Sequence, residues 1–366
     1  YGLNGFKIKK NTIINAGNSG TLARLILGLL VKSEKTIKIV GDKSLSKRDF
    51  SRVIEPLNKI GVTFFPKNRE NLPLSILGSS YLRPINYYEN RGSAQCKTCV
   101  MLASLNTPGE MRIYAKRSRN HTELMFKNLN IPIKVKKEKK IDCIKTSSPN
   151  LIQSYNLNIP GDISSAAFFI VLTLLTKNSQ LTLKNINLNP TRLGILKILK
   201  KMGANIKTKN KKILEGEELG DIIVKSTNSL RSINCPSSFN SSAIDEFLII
   251  FLVAAKSKGI SYFKNLSELN KKESPRLKLG SKILNMIGVK TKVTENSIKI
   301  YGNPNLNLSK DYEIKNYLKD HRIMAMCTIA ALTLGGKWKI YDPKSIKTSF
   351  PSFTQILKKN FRVKLI

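Results

Sequence analysis

An amphipathic helix, a glycine or asparagine turn, and a strand mixing Val, Ile or Thr with lysine recur five times in this chain, and that repeat limits the folds open to it. The copies are FSRVIEPLNKIGVTFF, HTELMFKNLNIPIKVKK, RLGILKILKKMGANIKTK, RLKLGSKILNMIGVKTKV and FTQILKKNFRVKLI. In the first copy Phe50, Val53, Ile54, Leu57 and Ile60 form one apolar helical face. The turns fall at Gly61, Asn130, Gly203, Gly288 and Asn360, separated by 69, 73, 85 and 72 residues. Glycine and asparagine accept the left-handed backbone that stops a helix. Each interval has room for one βαβ element plus further strands.

Five copies do not divide evenly between two similar domains. At the same period a sixth turn falls before Tyr1, so the pattern predicts a first unit mostly missing in front of the chain and an incomplete N-terminal domain. The expected boundary lies in NLNIPGD, where Pro160 and Gly161 interrupt regular structure and Asp162 to Ser164 can cap the apolar run that follows. This assigns 1–157 to an N-terminal domain with two units and 158–366 to a C-terminal domain with three. A chain of 366 residues is long enough for two cores.

Lysine and arginine number 63 against 24 acidic residues, a net charge of +39. The cations are scattered through a chain rich in Lys, Asn and Ile rather than gathered in blocks, which argues for small anionic substrates over nucleic acid. AAFFIVLTLL (166–175) and FLIIFLVAA (247–255) are too short to span a bilayer and read as buried helices, so no membrane partner is expected. The five cysteines offer one CxxC, Cys96 and Cys99, and the chain has two histidines and no second CxxC. No metal site is expected, and free thiols suit a cytoplasmic enzyme.

Ten short stretches carry polar residues that a structural turn would not require. They are GNSGTLAR (17–24), GDKSLSKR (41–48), GSAQCK (92–97), SRNHTE (118–123), PGDISSAAFF (160–169), NPTR (189–192), IDEF (244–247), KKESPR (271–276), DHRI (320–323) and TSFPSF (348–353). In GNSGTLAR a small-residue turn opens an apolar helix, and the amides exposed there suit an anion.

The order and spacing of these ten stretches resemble the enolpyruvyl transferase family, and within it the EPSP synthases, from one end of the chain to the other. The resemblance implies an α/β architecture of two domains built from repeated βαβαββ units, an inside-out α/β barrel in each, with the active site in the cleft between domains. It implies a monomer without cofactor that moves the carboxyvinyl group of phosphoenolpyruvate to the 5-hydroxyl of shikimate 3-phosphate and releases phosphate. Such chemistry needs cations to gather two anions, an acid at the methylene carbon and a base at the attacking hydroxyl.

Carried over by motif, Arg48, Arg276 and Arg322 would clamp phosphoenolpyruvate, with Asn18, Gly20 and Gln95 beside it and Arg24 close behind. Ser93, Ala94 and Gln95 match the triplet that holds shikimate 3-phosphate, and Lys272 and Asp245 match residues at the same ligand. Asp245 would be the base near the 5-hydroxyl and Glu273 the proton carrier at the methylene carbon. Read structurally instead, Asp245 and Glu273 could cap the helices that follow them, and the arginines could form surface ion pairs. His321 could orient phosphate or cap the DHRIMAMC helix.

Members of the family usually carry a KSxSxR segment about 70 residues before Gly17, on the repeat period; GDKSLSKR matches a later element, so Lys43 takes no such role. Pro275 and Asn120 stand where aspartate is usual. SAQCK, RNHTE and NPTR resemble the subgroup tolerant of glyphosate, a mimic of phosphoenolpyruvate. Two rivals remain: a sister enzyme acting on UDP-N-acetylglucosamine, whose loop cysteine motif is not found here, and an inactive relative.

Overall fold

The computed structural model describes residues 12–139 and 141–361, which form two compact bodies divided between Asn158 and Ile159. The first body holds two repeats in the order βαβαββ. One is β1 (Ile13–Asn15), α1 (Gly20–Leu29), β2 (Ile37–Val40), α2 (Ser51–Ile60), β3 (Thr63–Phe65) and β4 (Leu74–Leu77). The other is β5 (Asn86–Glu89), α3 (Ala94–Ser104), β6 (Glu110–Lys116), α4 (His121–Asn128), β7 (Ile133–Lys137) and β8 (Ile141–Ser147). Their sheets have the same topology, β1-β2-β4-β3 and β5-β6-β8-β7. In each the first two strands are parallel and the closing hairpin is antiparallel.

The second body repeats the pattern three times. The third repeat has α5 (Ile163–Leu175), β9 (Gln180–Asn187), α6 (Gly194–Lys201), β10 (Asn205–Leu214) and β11 (Glu217–Lys225). Its first strand is reduced to a parallel bridge from Gly161 to Ile186. In the fourth, Asn234 bridges in parallel to Tyr262 ahead of α7 (Asn240–Ala243), α8 (Phe247–Lys256), β12 (Gly259–Phe263), α9 (Arg276–Met286), β13 (Thr291–Val293) and β14 (Ile298–Gly302). The fifth has β15 (Leu308–Ile314), α10 (His321–Leu334), β16 (Gly335–Ile340) and α11 (Phe353–Phe361), with β15 and β16 parallel.

The repeated turns at Gly61, Asn130, Gly203 and Gly288 all have positive φ, between 53° and 121°. Asn360 differs from the expectation, because α11 runs through Phe361 and Asn360 lies inside it. At Asn130 a proline two residues on prevents the helix from continuing, whereas neither glycine nor proline follows Asn360. The strand expected after it, RVKLI, lies outside the described residues.

Each repeat uses its two helices differently. The first helices form the interior: α5, α8 and α10 pack on one another, and α5 and α8 are apolar around their whole circumference, as a helix enclosed on all sides must be. The second helices, such as α2 with Val53, Leu57 and Ile60 buried, present one face to the core and one to water. In the first body α1 crosses α3 so closely that a methyl group on Gly28 would lie 2.2 Å from the Cys99 carbonyl oxygen. Cys96 and Cys99 are buried in α3, and burial pushes both thiols up, so the CxxC is a packing element here. The sheets turn outward and carry much of the lysine, including Lys207, Lys209 and Lys212 on β10. Among the described residues no helix is long and apolar enough to cross a membrane.

Candidate active site

The ten polar stretches occupy one structural position. Every one of them leads into a helix, and two fall in each repeat: the first enters the interior helix, and the second connects the second strand to the outer helix. The two strands they leave are parallel, so the two turns of a repeat emerge at the same sheet edge and gather helix N-terminal amides there.

In the first body these turns build a cationic corner. Ser19 caps α1, its hydroxyl accepting from the Leu22 amide at 3.0 Å, and this sets Gly20 at the first helical position. A methyl group on Gly20 would stand 3.0 Å from Arg24 Nη1 and 3.1 Å from Arg48 Nη1. Arg24 is fixed by three contacts: Nη1 donates to Gln95 Oε1 at 2.9 Å, Nη2 donates to the Asp49 carbonyl at 2.9 Å, and the guanidinium lies 4.9 Å from the centre of the Phe50 ring. Gln95 in turn donates to Thr21 Oγ1 at 2.8 Å. Burial, with the nearby charges of Arg48 and Arg52, lowers the pKa of Arg24 despite opposing contributions from Cys96 and Asp49. A corner that holds like charges this close favours an anion.

The flanking residues are tied down. Asn18 donates to Asp42 Oδ2 at 2.6 Å, joining the first and second turns of its repeat. Ser93 caps α3 by accepting from the Cys96 amide, with Ala94 the first helical residue. Glu89 accepts from the amides of Gly92 and Ser93 and holds the turn ahead of Gln95.

In the second body the fourth and fifth repeats assemble a carboxylate and guanidinium cluster. Arg276 is 1% exposed, and its Nε and Nη2 reach Asp320 Oδ2 and Oδ1 at 2.9 and 3.2 Å. Nη2 also donates to Glu273 Oε2, and Nη1 lies 3.6 Å from Asp245 Oδ1, which Lys272 Nζ approaches at 3.2 Å. Arg276, expected to clamp phosphoenolpyruvate, is thus enclosed by three carboxylates, and Asp245 lies between two cations. Neither Asp245 nor Glu273 is a helix N-cap: that position falls to Glu246 for α8 and Pro275 for α9. Burial works against the Arg276 charge, but Asp320, Glu273 and Asp245 outweigh it and raise the pKa. For Asp320 burial pushes the carboxyl up, while Arg276 and the hydrogen bonds from Arg276 and Ser274 prevail and hold it at about 2.

Asp320 also caps α10 by accepting from the Arg322 amide at 2.9 Å, so one carboxylate sets both arginines. Arg322 Nη1 donates to the Asp245 carbonyl at 2.8 Å and lies 3.9 Å from Glu246 Oε1. Beside it His321 is pushed down to about 4 by burial and the Arg322 charge, against the opposing pull of Asp320, so its imidazole is neutral near pH 7. His321, Arg322, Asp162, Ser164, Ser165 and Ser349 line a recess of about 100 Å³. Arg192 Nη2 donates to Asp162 Oδ1 at 2.8 Å and to Ser164 Oγ at 2.7 Å, and Ser164 donates to Glu246. Lys347 is exposed in a short 3-10 turn, Pro343–Thr348.

The chain matches the EPSP synthase (3-phosphoshikimate 1-carboxyvinyltransferase) family over residues 2–357. It belongs to that family. It is similar to the 3-phosphoshikimate 1-carboxyvinyltransferase of Ruthia magnifica, with 39% identity over 97% of this chain and 80% of that protein. The Petrotoga mobilis protein of the same name is 38% identical, over 96% of this chain and 80% of its own. Among solved structures, EPSP synthase from Acinetobacter baumannii superposes with a TM-score of 0.84 at 32% identity, over 98% of this chain and 80% of that one. The enolpyruvyl transferase NikO from Streptomyces tendae, at 14% identity and a TM-score of 0.69, shares the fold over 92% of this chain and 74% of its own. As an EPSP synthase family member the chain is a transferase of the two-domain enolpyruvyl transferase fold.

Several residues beyond the motif candidates hold these turns and side chains in place. Asp320 stands beside His321 and Arg322 in DHRI, and an aspartate opening a helical run was a readable cap signal. Its second role, holding Arg276 from 44 residues away, was not. Asp49 meets Arg24 through its backbone carbonyl, a contact that sequence does not mark. The pairing of Lys97 with Glu123 joins GSAQCK to SRNHTE and gave no local signal.

Proposed function

We propose that the cationic corner around Gly20 and the carboxylate cluster around Arg276 both serve the reaction of the EPSP synthase family. That reaction transfers the carboxyvinyl group of phosphoenolpyruvate to the 5-hydroxyl of shikimate 3-phosphate, in the shikimate pathway. Protonation of the methylene carbon accompanies attack of the 5-hydroxyl on the adjacent carbon. Loss of phosphate and of a methyl proton then restores the double bond. The observation that carries the assignment is that all ten family motifs fall at one repeated position, in the turns that open helices.

In this reading Arg48 and Arg322, with Asn18, Gly20 and Gln95, take phosphoenolpyruvate, since a guanidinium meets carboxylate or phosphate with a planar fork. Arg276 offers its Nη1, the nitrogen least committed to Asp320 and Glu273. Ser93, Ala94, Gln95 and Lys272 hold shikimate 3-phosphate. Asp245, between Lys272 and Arg276, accepts the 5-hydroxyl proton, and Glu273 carries the proton at the methylene carbon. We place the enzyme in the cytoplasm, where free cysteines persist, and take it to work as a monomer, as the family likeness implies.

The test incubates the chain with both substrates and follows phosphate release together with the product's vinyl protons by NMR. Asp245→Asn and Glu273→Gln should each lower kcat by about 10²–10⁴-fold, the scale of a lost proton-transfer group. No phosphate release with shikimate 3-phosphate, or release with UDP-N-acetylglucosamine instead, sinks this assignment. Glyphosate added to the same assay should inhibit weakly if the likeness to the tolerant subgroup carries over.

A further inference from the structure

Arg24 and Lys97 make corresponding contacts in successive repeats, from helix positions one residue apart. Arg24 lies five residues after the Ser19 cap of α1, and Lys97 lies four after the Ser93 cap of α3. Each reaches from the first turn of its repeat to the second and donates to the carbonyl just before the N-cap of the outer helix. Arg24 Nη2 meets the Asp49 carbonyl and Lys97 Nζ meets the Arg119 carbonyl, both at 2.9 Å. Lys97 is 1% exposed and its ammonium also contacts Glu123 Oε1 at 2.5 Å, with Thr98 and Thr122 hydroxyls paired alongside at 2.7 Å.

Helix stability does not explain this placement. A cation near a helix N-terminus opposes the helix dipole, and a buried ion pair is seldom more stable than apolar side chains of the same volume. What Lys97 does accomplish is to fasten the SRNHTE turn to the first turn of α3, two residues beyond Gln95. Gln95 in turn holds Arg24.

We propose that Lys97, paired with Glu123, is a positioning residue that sets the Ser93–Gln95 turn for shikimate 3-phosphate; this rests on the substrate assignment above. The role is the one Arg24 plays one repeat earlier, except that the Lys97 ammonium is sealed from solvent and acts only through the turns it joins.

The test compares the parent chain with Lys97→Met and with Lys97→Met/Glu123→Leu, which replaces the whole pair by apolar side chains. The single variant should lose thermal stability, and the double variant should regain most of it. Both should bind shikimate 3-phosphate about 10-fold more weakly by calorimetry, the scale of a lost oriented contact. The KM for shikimate 3-phosphate should rise more than that for phosphoenolpyruvate, because of the three turn residues only Gln95 also meets phosphoenolpyruvate. Hydrogen exchange at residues 94–97 and 118–121 should quicken in both.

A stable double variant with parental binding and parental exchange overturns the proposal. If the double variant does not fold, Glu123→Gln, which keeps an acceptor for Lys97 but removes the charge, decides by the same two readouts. A parent chain that ignores shikimate 3-phosphate defeats the functional assignment, and hydrogen exchange still reads the coupling of the two turns.

Discussion

Arg24 and Arg48 aim their Nη1 atoms at the same point above Gly20, within 3.0 and 3.1 Å of where a methyl group there would stand. Gly20→Ala therefore separates two effects. At the first position of α1 alanine is the better helix former, by up to about 1 kcal/mol, so stability should hold or rise. The added methyl displaces the guanidinium pair by a few tenths of an ångström and narrows the space an anion would share. The KM for phosphoenolpyruvate should rise several-fold, with the KM for shikimate 3-phosphate changing less. Steady-state kinetics beside a melting curve read both, and a parental phosphoenolpyruvate KM would contradict the role given to this corner.

The buried pair of Arg276 and Asp320 makes a different prediction. Asp320→Asn leaves Arg276 enclosed with its main partner neutralised, a change that costs about 3–5 kcal/mol for buried pairs. Denaturant unfolding of the parent and variant measures it. The sign with pH follows from the depressed carboxyl pKa of Asp320. Its stabilising contribution is present above the ordinary aspartate value and is lost as pH falls toward about 2. The variant should lose less stability than the parent between pH 4 and pH 2.

His321 acts in a separate window. Its folded-state pKa is about 4, below the ordinary 6.5, so between these values the unfolded chain binds a proton that the native imidazole does not. Native stability should therefore rise with pH from about 4 to 6.5 and lose this dependence above it. His321→Asn removes the titration, and its melting temperature should vary less with pH across that window. Equal slopes in parent and variant would remove His321 from the account.

The repeat and its stop signals were legible because they are local. Gly61, Gly203 and Gly288 each follow a one-faced helical run, and only the unusual backbone of such turns demands glycine. The interior helices α5 and α8 were legible for a similar reason, since an unbroken apolar run needs enclosure. Asn360 misled because asparagine permits a stop without imposing one. The site was legible as a set of motifs but not as a geometry. Glu273 stands three residues from Arg276 within KKESPR, but nothing near that stretch indicates that Asp245 and Asp320 also close around Arg276. Nothing in GSAQCK indicates that Lys97 is buried against Glu123, because both arrangements depend on contacts between residues 26 to 44 positions apart.

Gly28 links the fold to the site more directly than any charged residue in the first body. Its missing side chain lets α1 cross α3 against the Cys99 carbonyl, where a methyl group would stand 2.2 Å from the oxygen. Backbone cannot yield there as a side chain could, so Gly28→Ala must separate the two helices and should cost about 1–3 kcal/mol or more, the range for an overpacked core. The same helices carry Arg24 and Gln95, whose 2.9 Å hydrogen bond depends on their spacing. Gly28→Ala should therefore lower both melting temperature and kcat/KM. Cys99→Ala, which removes the thiol but not the carbonyl, should leave kcat/KM near the parental value. A Gly28→Ala chain that is less stable yet fully active would show that the arginine corner does not depend on the helix crossing.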